Sequence, residues 1–250
     1  MDQPKAIFGI PSVWDATFEA HETIFRSIED LRTIARDLVA GAKDSSRELV
    51  QVQAALTQLA SETMLDVLLL AGNNRGAGAM KLARGMFEVS VISSYLEKNP
   101  GEVNDYLDFS IVESWRHLQT VEKYSAGRVS PDLMSEVEKE FNRVKPRFTN
   151  PQGRVQLRWA NKSIRQMAEE VGRLNVYEVA YGAASELHHM PFTGVVAHEL
   201  NWLREGLFVA HGALLGTVVT LYNVRSESDA ALRGRLNAAI ANFNYTRKRD

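Results

Sequence analysis

Apolar side chains recur along this chain at every third or fourth position, the spacing that gathers them on one side of an α-helix. Trp14, Phe18, His21, Phe25, Ile28, Leu31, Ile34 and Leu38 keep that step, and Gly41 closes the segment. A second helix is predicted over 44–71, with Leu49, Val52, Leu56, Leu59 and Thr63 as its inner face. Gly72-Asn-Asn-Arg-Gly-Ala-Gly78 follows a helix and lacks the Lys-Ser/Thr of a P-loop, so it reads as a turn. A third helix runs to Lys98 and stops at Asn99-Pro100, because proline drives the residue before it out of the helical region. Glu102 to Ser125 reads as a fourth helix. Ser130 caps a fifth whose first residue is Pro131. Phe148 to Gly153 carries no helical period and reads as a loop. Helices resume at about Lys162, then over 175–190, 195–222 and 228–245. No strand-like alternation lasts more than a few residues. The pattern predicts an all-α fold, a multi-helix bundle of about eight to nine helices. The chain reads as one helical domain over 1–250, with a helical hairpin at 1–71 and a C-terminal helix and tail at 228–250.

Composition narrows the class. Hydrophobic residues make up 45% and charged residues 24% of 250 residues, a globular balance with enough length for a sizeable core. The chain has no cysteine, which excludes disulfides and thiolate metal sites and leads us to expect a reducing, cytoplasmic setting. The opening Met1-Asp-Gln-Pro-Lys5 lacks a basic stretch leading into an apolar run, so no signal peptide is expected. A net charge of −2 argues against non-specific coating of nucleic acid. Residues 206–222 are apolar apart from His211 and threonines, yet fall short of the roughly 20 residues a membrane span needs. A central buried helix is the expectation there, with no membrane partner. Gly212 and Gly216 on it would also permit close pairing in a homodimer.

The candidate chemistry sits on a polar stripe. Arg173, Tyr177, Tyr181, Ser185 and His189 recur every fourth residue, so they neighbour one another along one helix face. Small and apolar residues flank them, which favours burial or a cleft, where hydroxyls and imidazoles need partners. Arg84 and Glu88, four apart on the third helix, are the expected opposite wall.

With Arg84-x-x-x-Glu88 early, Trp159 before a short helix, and Tyr177-x-x-x-Tyr181-x-x-x-Ser185-x-x-x-His189 late, the chain resembles a family of bacterial all-helical proteins catalogued only as a domain of unknown function. The resemblance covers about residues 75–211. It implies Arg84, Glu88, Tyr177, Tyr181, Ser185 and His189 as signature positions and transfers no activity. Of the doubled His188-His189, the spacing favours His189. More distantly, the bundle resembles the HEPN class of helical domains, many of which cut RNA without metal using an arginine and a histidine four to six residues apart. Arg204-x₆-His211 has that spacing, but such a pair arises about once by chance in a chain of this composition.

Two readings of the stripe stay open. In one, His189, Arg84, Glu88, Tyr181 and Ser185 form a catalytic or phosphate-recognising site, with metal-independent RNA cleavage as the enzymatic form. An imidazole can take a proton from a 2′-hydroxyl, and a guanidinium can stabilise charge on phosphate. Tyr177, Arg173, Arg154, Arg158, Trp159 and Lys162 would then hold RNA or a nucleotide. The last four lie in a run from Arg143 to Arg165 that has seven basic and no acidic residues, with Phe148 and Trp159 available to stack a base. In the other reading the stripe is a buried hydrogen-bond network, the basic run is a solvated face, and the chain is a non-enzymatic module for a protein partner or small ligand. Glu186, His188, His189, His198, Glu199 and His211 show no metal-ligand spacing such as His-Glu-x-x-His. No metal and no cofactor are expected.

Overall fold

The computed structural model describes residues 9–178, 202–225 and 229–249. Among them are nine α-helices: α1 (Pro11–Ala42), α2 (Glu48–Gly72), α3 (Gly76–Lys98), α4 (Val103–Tyr124), α5 (Pro131–Val144), α6 (Ile164–Glu170), α7 (Leu174–Val176), α8 (Trp202–Arg225) and α9 (Ala230–Arg249). Short 3₁₀ turns occupy Pro100–Glu102 and Lys145–Phe148. The described chain is an all-α bundle in which Thr149 and Val155 make one isolated β-bridge and no strand forms. It divides into two compact units, one of residues 1–98 with 164–250 and one of 99–163.

In the first unit α8 is the central helix, packed on α1, α2, α3 and α9. Leu207, Ala210, Leu214, Val218 and Leu221 are fully buried along it, against Ala79, Met80 and Ala83 of α3. Glycine permits that closeness. A Cβ on Gly76 would fall 2.4 Å from the Leu203 nitrogen, and one on Gly206 would fall 3.0 Å from the Met80 nitrogen. Polar groups in the seam fix its register. Gln53 donates to the Ser93 carbonyl (2.8 Å), Ser93 donates back to Gln53 Oε1 (2.6 Å), and Thr57 donates to the Thr217 carbonyl (3.2 Å).

Two expected helix faces are corrected. On α2 the expected Val52 and Leu56 are buried, together with Val50, Gln53, Thr57, Ala60, Met64, Val67 and Ala71, whereas Leu59 is exposed with Leu65 and Leu69. The helix is apolar nearly all round, so the period alone does not choose its inner side. On α1 the core face from Ile24 to Leu38 follows the period, but Phe18 is exposed and Thr17 buried. The phase slips because the backbone leaves the helical region at His21 (φ −127°, ψ 22°). Both α2 and α8 are long and apolar enough to cross a membrane by length and composition. The apolar window of α8 is 67% buried in its own unit, that of α2 only 33%.

The second unit has its own small core of Phe109, Val112, Phe141, Val144 and Phe148, on which Trp115 and Trp159 pack. Trp115 stacks on Phe141 at 5.5 Å, and Phe109 meets Phe148 edge-on at 5.2 Å. Ser130 Oγ accepts the Leu133 N–H (3.2 Å), the N-cap that opens α5. Arg116 donates to the carbonyls of Val155 (3.3 Å) and Gln156 (2.5 Å), which ties the 149–163 segment to α4.

Candidate functional site

The site builds from α3. Arg84 and Glu88, one turn apart, form an ion pair at 3.2 Å with side chains 28% and 32% exposed. The pair therefore lies at the edge of the core and not sealed within it. Beside it on α3 are the buried Phe87 and Ser90. Arg173, just ahead of α7, reaches back and donates through Nη1 to Ser90 Oγ. Its guanidinium occupies space that only a glycine leaves open: a Cβ at Gly216 would lie 2.6 Å from Arg173 Nη2. Burial lowers the Arg173 pKa, and the charge of Glu97 opposes that shift. Glu97 is in turn held by the Asn223 amide at 2.8 Å. Tyr177 lies against Phe87, with ring centroids 6.5 Å apart and planes tilted by 47°. The backbone widens into a π-type turn at Tyr177 and Glu178, and Glu178 pairs with Arg165 at 2.8 Å. Arg173 and Tyr177 thus both contact α3, at Ser90 and at Phe87. Tyr181, Ser185 and His189 lie outside the described residues, as do Glu186, His188, His198 and Glu199.

The basic run belongs to the second unit as far as Lys162, and much of its charge is already matched there. Arg143 pairs with Glu140 (2.8 Å) and Asp108 (3.4 Å). Arg147 pairs with Asp105 (2.5 Å) and Asp108 (2.6 Å). The Lys145 ammonium lies over the Phe141 ring at 5.6 Å. Arg154 and Arg158 are exposed, with no carboxylate partner among the described residues, and Lys162 is half-buried. One expected stacking platform is corrected. Phe148 is buried in the core of its unit, and Trp159 is half-buried, edge-on to Tyr106 at 5.3 Å. The Phe148 ring is given to packing, because this small unit needs it for its core.

His211 is 0% exposed. Its Nε2 lies 3.4 Å from Ser27 Oγ, and its ring meets Phe243 edge-on at 5.0 Å. Burial pushes its pKa down to about 4. Arg204, on the same helix, lies over the Phe208 ring at 5.3 Å. That pair does not make a surface Arg/His site, since the imidazole is inside the unit. Among the described residues no three His, Asp or Glu side chains gather as a metal cluster.

Residues 52–200 match a family of unknown function, DUF5677. The chain belongs to that family. No curated protein and no solved structure matches it. The DUF5677 span starts inside α2 and takes in α3 with Arg84 and Glu88, the whole second unit, and Arg173 with Tyr177. It leaves out α1, α8 and α9, which supply much of the first unit's core. The wall residues inside the DUF5677 span that sequence reasoning missed are Phe87 and Ser90. Nothing in their own spacing marks them; they acquire a role only because Arg173 and Tyr177 arrive from far along the chain. Outside the span, His21 was read as a core position. It instead sits at the break in α1 and lines a cavity.

Proposed function

We propose that this DUF5677 protein recognises phosphate on RNA or a nucleotide at the α3 face carrying Arg84 and Glu88, and that it cleaves RNA without a metal. The observation that supports this most is the half-exposed Arg84–Glu88 pair. A guanidinium oriented by a neighbouring carboxylate has less freedom to lose when it meets a planar or tetrahedral anion. Partial burial strengthens that contact relative to open water. Arg173, held against the same helix by the Ser90 hydroxyl, adds a second positive group, offset in part by Glu97. In this reading His189 takes the proton of a 2′-hydroxyl, and an arginine stabilises the charge that develops on phosphorus-bound oxygen. The cysteine-free chain suits a reducing compartment, where we place the activity.

The experiment is incubation of purified protein with single-stranded RNA in the presence of a chelator, over a range of salt. Cleavage is expected, with loss of roughly 100-fold or more in His189→Ala and in Arg84→Gln while circular dichroism is unchanged. RNA left intact by the wild type at every salt concentration removes the cleavage. Absence of RNA and nucleotide binding removes the recognition as well. One observation favours a second, non-enzymatic reading. Leu59, Leu65 and Leu69 lie about half exposed along α2, a face suited to a protein partner or a second copy. That reading expects a stable oligomer by light scattering, or a co-purifying ligand, from a protein inert toward RNA.

A further inference from the structure

Arg32, Arg36 and Lys43 share one side of α1, because steps of four and seven residues bring a helix back to nearly the same direction. Where that side meets α2, a cavity of about 310 Å³ opens, at the lower end of the range for small-molecule sites. All three cations line it. Its apolar wall is Ala35, Val39 and Ala40, and α2 contributes Gln58 and Ser61. The three cations lie outside the DUF5677 span.

Two carboxylates also line the cavity, Glu29 and Glu62, and each is already engaged. Arg32 donates through Nη1 to Glu29 at 2.9 Å, and Gln58 donates its amide to Glu62 at 2.8 Å. Asp37, next to Arg36 in sequence, is taken by Arg235 of α9 at 2.7 Å. Arg36 and Lys43 are exposed and have no carboxylate partner among the described residues. The Arg32 guanidinium also has capacity to spare, since its Nε is buried and makes no hydrogen bond among the described residues. With Nη1 on Glu29, the Nε–Nη2 edge is left, the pair of parallel N–H groups that fits a carboxylate. A buried donor costs free energy until an acceptor meets it. The negative end of α1 is itself offset. Arg225 donates to the Leu38 carbonyl at 3.0 Å, in space that Gly41 leaves open, since a Cβ there would fall 2.6 Å from the guanidinium.

Charge sets the class of ligand. Three cations against two carboxylates leave the lining one positive charge in excess. A monoanion neutralises that excess, a dianion overshoots it, and a cation is repelled. The wall of Ala35, Val39 and Ala40 suits a hydrocarbon body and offers no partner to a second polar end.

We propose that the cavity between α1 and α2 binds a small monocarboxylate with a short hydrocarbon body. The carboxylate sits on Arg32 and Arg36, the body lies against Val39 and Ala40, and Lys43 adds attraction. The site does not rest on the RNA reading of the Arg84 face. The test titrates sodium hexanoate into the full chain and follows backbone amide shifts by NMR. A parallel arm uses hexylamine, which has the same body and the opposite charge. Hexanoate should give saturable shifts at Val39, Ala40 and Ser61, and hexylamine none there. Arg36→Gln should weaken hexanoate about tenfold, the size of one lost hydrogen bond to a charged group. Adding Lys43→Gln should weaken it further. Both side chains are exposed and unpaired among the described residues, so the remaining amide spectrum should keep its native pattern. Absence of saturable hexanoate shifts at those three residues overturns the site. So does hexylamine binding there as tightly as hexanoate, or hexanoate binding that Arg36→Gln leaves unchanged.

Discussion

His211 shows how much one side chain can weigh on this fold. It is 0% exposed, and its Nδ1 has no hydrogen-bond partner among the described residues. Its pKa is about 4 in the folded chain, against an ordinary 6.5. The folded chain therefore refuses a proton that the unfolded chain accepts as pH falls below 6.5. The stability tied to the neutral ring is fully present above that pH, drains away between 6.5 and about 4, and changes no further below. The whole interval corresponds to roughly 3 kcal/mol, about 2 kcal/mol of it between pH 7 and pH 5. Urea unfolding of wild type and His211→Gln at those two pH values should show the wild type losing more by that amount; parallel profiles would mean the ring is solvated. Gly216 makes the opposite point, a position with no side chain on which another depends. In Gly216→Ala the new Cβ would lie 2.6 Å from both Arg173 Nη2 and Ser90 Oγ, so the guanidinium must leave its place. A loss of about 1–3 kcal/mol in thermal or urea unfolding is expected, the usual cost of overpacking. An unchanged midpoint would show that Arg173 is not seated there. Neither role was legible in sequence. His211 read as half of a chance pair with Arg204, and Gly216 read as half of a small-residue step.

At the scale of elements, legibility depended on whether the signal was local. Ser130 and Pro131 announce the start of α5 because capping is decided within one turn, and the structure has that cap. The core face of α1 from Ile24 onward could be read because its other side is charged. The side of α2 could be read only in part, at Val52 and Leu56 but not at Leu59, since apolar residues occupy both its inner and outer lines. The pairing of the basic run is not legible for a different reason: the carboxylates that neutralise Arg143 and Arg147 include Asp105 and Asp108 on α4, far upstream in sequence. The α2 assignment can be checked by contrast. Met64 is fully buried, so Met64→Ala should cost about 2–5 kcal/mol. Leu59→Ser should stay within about 0.5 kcal/mol, as for an ordinary surface change. Comparable losses by urea unfolding would put Leu59 in a core or an interface after all. The candidate site is legible to a similar degree. Arg84 and Glu88 were found by their four-residue spacing, but the residues that bring Arg173 and Tyr177 onto α3 belong to tertiary structure.

For the whole molecule the question is whether two compact units melt together. The core cluster of the second unit has five buried apolar residues with three aromatic rings among them, Phe109, Phe141 and Phe148. A core of that size supplies only a few kcal/mol, roughly 3–5 on its own. Phe109→Ala should cost about 3–5 kcal/mol, as much as the unit holds. Opening should then be confined to residues 99–163, because α3 and α8 bury their faces against each other within the first unit. Hydrogen exchange followed by mass spectrometry is the measurement. In Phe109→Ala the amides of α4 and α5 should exchange rapidly while those of α3 and α8 stay protected; loss of protection in all four helices would make the chain a single cooperative unit. The same variant bears on function. Arg84 and Glu88 belong to the first unit, and Arg154 and Arg158 to the second. Any loss of RNA affinity in that variant would then measure what the exposed arginines of the second unit contribute.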